Sequence, residues 1–325
     1  MLTNKTEIPL PVAVWLAANS DYDLSPDPAV ISITTLQKPL RAIVLARRML
    51  QAGELDIDLL VASKLGTAVH SAIEDAWLRN HRQALQDLGY PEGMLNRLLV
   101  NPEQPPVADQ LAVYLEQRTS REIDGWLVSG KFDIVIDGKL YDIKTTKTYT
   151  WINGSNNRDY VLQGSGYRWL NPGIITDDWM EIVYLFSDWS PFRALADRTG
   201  YPQSRCLANP FQLMSMPQTE AYIRERLALI TRYQDADDSE IPECNNRELW
   251  RDLPKWAVYK NPEKTARATR VFDLEADALT FNATSCKGQG LIVKREGKPK
   301  RCEYCQARPI CSQAKRFEIE GLLDA

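Results

Sequence analysis

Gly130-Lys131-Phe132-Asp133-Ile134-Val135-Ile136-Asp137-Gly138-Lys139-Leu140-Tyr141-Asp142-Ile143-Lys144 is the stretch whose reading decides the fold. Asp137-Gly138 lies between two runs rich in β-branched and aromatic residues, the pattern of a two-residue type I′ hairpin turn. That turn sets Ile136 opposite Lys139. Counting back then places Asp133 opposite Asp142 and Lys131 opposite Lys144. Side chains alternate along a strand, so Asp142 and Lys144 leave the sheet on one face. Two carboxylates set face to face repel, and a divalent cation with oxygen ligands would relieve them, with Lys144 beside it. The plain alternative is a solvated hairpin with scattered charges.

Working outward, the chain has 325 residues, enough for a full core and a smaller appended region. Its apolar and charged fractions are ordinary for a globular protein. No apolar run approaches a membrane span and the first residues show no secretory pattern, so a cytoplasmic protein with no membrane partner is expected. The net charge of −4 argues against indiscriminate coating of nucleic acid. Charge is nevertheless uneven. Asp235 to Glu248 holds six acids and one arginine, whereas Lys287 to Arg316 is basic and includes Lys298, Lys300 and Arg301. Such a run is either a solvated face or a phosphate-contacting surface.

The apolar periodicity predicts an irregular lead and then a helix from Leu40 to Gln51. A second helix is predicted from Ile57 to about Asn80, and a third over Val107 to Gln117. The hairpin follows, then a helix over Tyr160 to Leu170, a buried strand over Glu181 to Phe186 and a helix opened by Pro217. Helix, hairpin and strand, then helix is an α/β pattern, a sheet flanked by helices. The expected division is 1–56 as N-terminal lead and helix, 57–235 as core, and 236–325 as a basic, cysteine-bearing region.

Gly66, His70 and Glu74 recur every four residues, on one stripe of the second helix. His70 either pairs with Glu74 on the surface or reaches the cation of Asp133 and Asp142 as an imidazole ligand. Gln163 and Tyr167 are likewise one turn apart. Gly164 and Gly166 between and beside them lower helix propensity by roughly 1 kcal/mol each. That cost points to close approach, by nucleic acid or by tight packing of helix on sheet.

In order and spacing these pieces resemble the PD-(D/E)XK nuclease superfamily, and within it the RecB-like branch that includes phage-encoded exonucleases. The histidine motif is similar to Gly66-Thr67-Ala68-Val69-His70 with Glu74 beyond it, and the first acidic motif to Gly130-Lys131-Phe132-Asp133. Asp142-Ile143-Lys144 and Gln163 to Tyr167 match the remaining two. The resemblance implies a restriction-endonuclease-like core, a central mixed sheet flanked by helices. It also implies Mg²⁺ or Mn²⁺ held by His70, Asp133, Asp142 and the Ile143 carbonyl, with Lys144 orienting or deprotonating water. Gln163 and Tyr167 would position DNA. The activity implied is a metal-dependent DNA exonuclease of phage recombination or replication, working with a single-strand annealing or single-strand binding protein. Alternatives are a structure-selective endonuclease of the same fold and a catalytically idle DNA-binding or assembly subunit.

Cys302-Glu303-Tyr304-Cys305 followed by Cys311 gives C-x2-C-x5-C, a metal-capture spacing, and a disulfide framework is not expected in a cytoplasmic protein. The run resembles the terminal part of the iron–sulfur motif of nucleases in this branch, where the remaining cysteine precedes the core. Here no cysteine precedes Cys206. Cys244 is the expected fourth ligand, with Cys286 its rival, and the centre is either a [4Fe–4S] cluster or Zn²⁺.

Overall fold

The structure, a computed structural model, describes residues 2–18, 27, 29–49 and 55–324. The chain divides into two compact units, one of residues 1–37 and 53–229, the other of residues 38–52 and 230–325. The divisions expected at 56 and 235 therefore lie elsewhere. The N-terminal lead separates into a part in the first unit and a helix, Leu40–Met49, in the second. The last two residues expected in that helix, 50 and 51, fall outside the described residues. The lead is also less irregular than expected. It contains a helix, Leu10–Ala17, with Pro11 in its first turn, where a missing N–H costs nothing.

The first unit is built on a six-stranded mixed sheet: β1 (Leu98–Val100), β2 (Leu111–Leu115), β3 (Ile134–Ile136), β4 (Lys139–Thr146), β5 (Trp179–Phe186) and β6 (Cys206–Gln212). Neighbours in the sheet follow chain order. β1 with β2 and β4 with β5 are parallel; β2 with β3, β3 with β4 and β5 with β6 are antiparallel. Leu111 to Leu115 is thus a strand, not the expected helix over Val107 to Gln117. A five-residue apolar run buried in mid-sheet shows no alternation, and periodicity cannot tell it from a turn of helix.

The hairpin is as read near its tip. Ile136 pairs with Lys139, and Asp137 and Gly138 both have positive φ (48° and 84°), the requirement of a type I′ turn. Further back the reading fails. The ladder ends at Ile134–Tyr141, and Trp126–Lys131 leaves to form a second, three-stranded sheet with Arg118–Ile123 and Val30–Ser32. Lys131 accordingly pairs with Arg118, not Lys144. The antiparallel pair that begins as β2 with β3 therefore bends and changes sheet at Glu116-Gln117 on one strand and Phe132-Asp133 on the other. Phe132 is wholly buried at this corner.

The helix α1 (Val61–Asp87) covers one face of the large sheet through Ile73, Trp77 and Leu85, packed against Leu98, Val113, Leu115, Ile134 and Ile143. On the other face lies α2 (Asn157–Leu170), its Tyr160 edge-on to Tyr184 and Phe211. A Cβ at Gly164 would strike Met180 and lie 3.0 Å from Leu213, and one at Gly166 would lie 2.5 Å from Ile33. The close approach that these glycines permit is packing on protein.

The second unit contains a three-stranded antiparallel sheet, Arg270–Phe272, Lys255–Tyr259 and Leu291–Arg295, with the helix Glu275–Ser285 laid on it.

Candidate active site

At the bend of the first unit, the Glu116 N–H donates to the Asp133 carbonyl at 2.8 Å. Glu116 has φ 48°, a left-handed conformation that is uncommon for a side chain of this size and re-aims it out of the strand. One carboxylate oxygen of Glu116, one of Asp133 and a ring nitrogen of His70 come within 4.8 Å of one another, a group able to hold a metal ion. Asp133 is buried, Glu116 and His70 half-buried.

Because the ladder stops at Ile134, Ile143 meets side chains. Its N–H donates to Asp133 Oδ2 at 2.7 Å, and its carbonyl lies 3.1 Å from His70 Nε2. His70 Nδ1 lies 3.3 Å from Asp133 Oδ1 and 3.6 Å from Glu116 Oε1. With acceptors at both ring nitrogens, both carry hydrogen and the ring is an imidazolium. Burial works against that charge, but the Asp133 and Glu116 carboxylates outweigh it and push the pKa up to about 10. Asp133 responds in kind. Burial resists its ionisation, yet His70, Lys144 and the Ile143 N–H hold it below its ordinary value.

Asp142 and Lys144 share a face of β4, as the alternation required, and Lys144 lies 5.9 Å from the Tyr160 ring centre on the α2 side. Lys144 Nζ is 2.5 Å from Asp142 Oδ2, but neither oxygen of Asp142 accepts a hydrogen bond of normal alignment. Asp142 is 2% exposed. Burial, reinforced by the charge of Asp133, pushes its pKa up to about 6 against the pull of Lys144. Burial also disfavours charge on Lys144, but Asp142 and Asp133 raise its pKa above the ordinary value, so it stays an ammonium. In this arrangement Lys144 is a cation paired with Asp142. Lys131 pairs with the second oxygen of Glu116. Three carboxylates thus face three cations of the chain itself.

Glu116 is the site residue that sequence reasoning missed. It follows a strand read as a helix, and only the bend carries it to Asp133. Glu74 stays half-buried on α1 and is not among the donors that converge. Gln163 Nε2 donates to Tyr167 Oη at 2.8 Å, and the Tyr167 ring is buried against Gly130, where an added Cβ would sit 3.0 Å away. The Tyr167 ring is packed on protein, with Gln163 at its hydroxyl.

In the second unit Cys286 is packed with Val258 and Ala278 under the sheet. Cys244 is held by a reciprocal pair with Gln313: its N–H donates to Oε1 and its carbonyl accepts from Nε2, both at 2.9 Å. Burial, then Glu248 and the three late thiols, pushes the Cys244 pKa up to about 12. Cys302 is pushed up to about 11 by burial and by Cys305 and Cys311. Cys311 accepts a hydrogen bond from Arg41 Nε at 3.2 Å. Much of the basic run is engaged within its own unit. Lys300 pairs with Asp252 at 2.7 Å, Arg301 lies 4.5 Å over Trp250, and Arg316 pairs with Glu243 at 2.6 Å. Lys298 is exposed.

No known family model matches the chain, and no curated protein matches it. Among solved structures, that of SSO0001 is similar over 69% of this chain and 88% of its own, at 16% identity and a TM-score of 0.42. A phage related exonuclease from Haemophilus somnus 129PT is similar over 39% of this chain and 63% of its own, at 21% identity and a TM-score of 0.25. No helix among the described residues is long and apolar enough to cross a membrane.

Proposed function

We propose that the chain is a divalent-metal-dependent DNA nuclease, an exonuclease rather than an endonuclease, serving phage recombination or replication in the host cytoplasm beside a single-strand annealing or binding protein. One observation carries the chemistry: His70, Glu116 and Asp133 converge at the bend next to a buried Asp142 whose Oδ1 has no hydrogen-bond partner and whose Oδ2 meets only the Lys144 ammonium. Buried polar atoms are normally satisfied, and an oxygen-preferring cation is the partner that such a set of donors fits. Asp133, Asp142, Glu116, the Ile143 carbonyl and, once the cation displaces one of its ring protons, His70 would hold Mg²⁺ or Mn²⁺. When bound, the ion supplies Lewis-acid polarisation of the phosphodiester and an acidified water. Asp133 already fixes the Ile143 backbone, and His70 fixes Asp133 and Glu116 relative to it. The Lys144 ammonium, held by Asp142, is placed to orient water and to balance negative charge on a phosphate oxygen.

Digestion of linear and closed circular DNA, with magnesium and with EDTA, tests this reading. An exonuclease degrades only the linear form and stops in EDTA. Cutting of the circle moves the assignment to endonuclease, and cleavage of neither form identifies an idle binding subunit.

For the second centre we propose Cys244, Cys302, Cys305 and Cys311 as ligands of one [4Fe–4S] cluster, with Cys286 left out in its apolar pocket. Four thiolates suit either such a cluster or tetrahedral zinc, and the resemblance of the C-x2-C-x5-C run to the iron–sulfur motif favours the cluster. Broad absorbance near about 400 nm with bound iron supports it, whereas stoichiometric zinc or full metal retention in Cys244→Ser refutes it.

A further inference from the structure

β4 and β5 run parallel and end together, Thr146 opposite Phe186. The segments that follow, residues 147–158 and 187–206, therefore leave the sheet at one edge, just past Lys144. They are joined there: the Thr148 N–H donates to Asp188 Oδ1 at 2.7 Å, and the Ser187 N–H donates to the Thr146 carbonyl at 2.9 Å. Both segments carry large apolar side chains in solvent. Tyr149 is 66% exposed and Ile152 47% on the short helix Thr148–Asn153, and Phe192 is 83% and Leu195 68% exposed on the helix Pro191–Ala196. Apolar exposure gathered in this way marks an interaction surface.

We infer that this edge is a stacking platform for the single strand of nucleic acid that enters or leaves the active site, an inference that rests on the nuclease reading above. Charge and continuity select this occupant. In a chain of net charge −4, these two segments hold five Lys and Arg against two Asp. Both aspartates are occupied by backbone, Asp188 at Thr148 and Asp197 at the Gly200 N–H at 2.8 Å. Lys147 and Arg193 are exposed beside Tyr149 and Phe192. Aromatic faces interleaved with cations suit a strand whose bases offer π-faces and whose backbone offers phosphates. Lys144 precedes Thr146 by two residues, about 7 Å of strand, so the platform begins about one nucleotide from the site.

The test measures binding of a fluorescent poly-thymidine oligonucleotide, and of an abasic strand of equal length, in EDTA. The double variant Tyr149→Ser, Phe192→Ser is compared with the wild type, after thermal melts confirm that it folds. The expected result is about 10-fold or greater loss of affinity for the thymidine strand, with no change on the abasic strand, which keeps the phosphates and lacks the bases. Equal affinity of both proteins for the thymidine strand overturns the inference, as does an equal loss on both strands. So does wild-type protein that fails to bind either strand. Light scattering that shows a wild-type dimer and a monomeric variant, with unchanged affinity, assigns the patch to self-association instead. Cleavage of linear duplex by the wild type tests the nuclease reading separately, so a protein that cleaves and fails the stacking test loses only the platform.

Discussion

Replacing Asp142 by asparagine should abolish cleavage and at the same time make the metal-free protein more stable. Asp142 is almost fully buried beside Asp133, and its carboxyl, ordinarily near 3.8, is pushed up to about 6. At 1.36 kcal/mol per tenfold, holding it ionised in the fold costs about 3 kcal/mol. The folded carboxyl keeps its proton to higher pH than the unfolded one. The folded state therefore binds more protons between about pH 4 and 6, and stability falls as pH rises through that window. Asparagine carries no such charge, but it leaves Lys144 without its carboxylate, so the net gain above pH 6 is about 1–3 kcal/mol. Urea denaturation of the two proteins in EDTA, from pH 4.5 to 8, reads this directly. The difference should be small at the acid end, grow through pH 6 and then level off. Magnesium should oppose it, because a ligand at 100 times its Kd adds about 2.7 kcal/mol to the wild type and less to the variant. A variant less stable than wild type at pH 8 in EDTA, or a difference that does not change with pH, would refute the argument that burial and Asp133 set the state of Asp142.

Glu116→Gln should raise the magnesium or manganese concentration needed for half-maximal cleavage by about 10–100-fold, read from a metal titration of rate; an unchanged titration removes Glu116 from the metal group. Gly164→Ala should destabilise by about 1–3 kcal/mol, because overpacking against Met180 and Leu213 exceeds the gain in helix propensity. Gly66→Ala, where no atom lies within 4 Å of the new methyl, should instead stabilise by up to about 1 kcal/mol; denaturant midpoints give both signs. In the second unit, Arg41 is buried and donates to the Asp238 carbonyl at 3.0 Å, to the Ile241 carbonyl and Ser312 Oγ at 2.8 Å, and to Cys311. Arg41→Met should cost about 3–5 kcal/mol by the same measurement, through the acceptors and the Asp238 charge that it strands.

How far the site can be read from sequence depends on how local each constraint is. Asp137-Gly138 needs positive φ at both positions, a demand that two residue identities express, and the register of the hairpin tip follows from them. The shared face of Asp142 and Lys144 needs only the two-residue repeat of a strand. The helical stripe that carries His70 needs only spacing. In each case the information sits within a few residues of its consequence.

The bend is different in kind. Counting back from the turn assumes one continuous ladder, and along Gly130 to Ile136 no proline or unusual residue announces that the strand changes partners between Lys131 and Ile134. The cause lies on the opposite strand, where Glu116 is forced into a left-handed conformation, and in the second sheet, whose pairing of Lys131 with Arg118 draws the chain away. A strand shared between two sheets has to give up ladder hydrogen bonds where they part, and buried backbone groups released there need other partners. At Ile143 those partners are the Asp133 carboxylate and the His70 ring. The same break therefore frees the backbone and gathers the charged side chains. A straight ladder would have satisfied Ile143 with backbone and left Asp133 facing Asp142 across the strands, with Glu116 elsewhere. The acidic cluster is a consequence of where the two sheets diverge, and that divergence is a property of the whole first unit rather than of any motif within it.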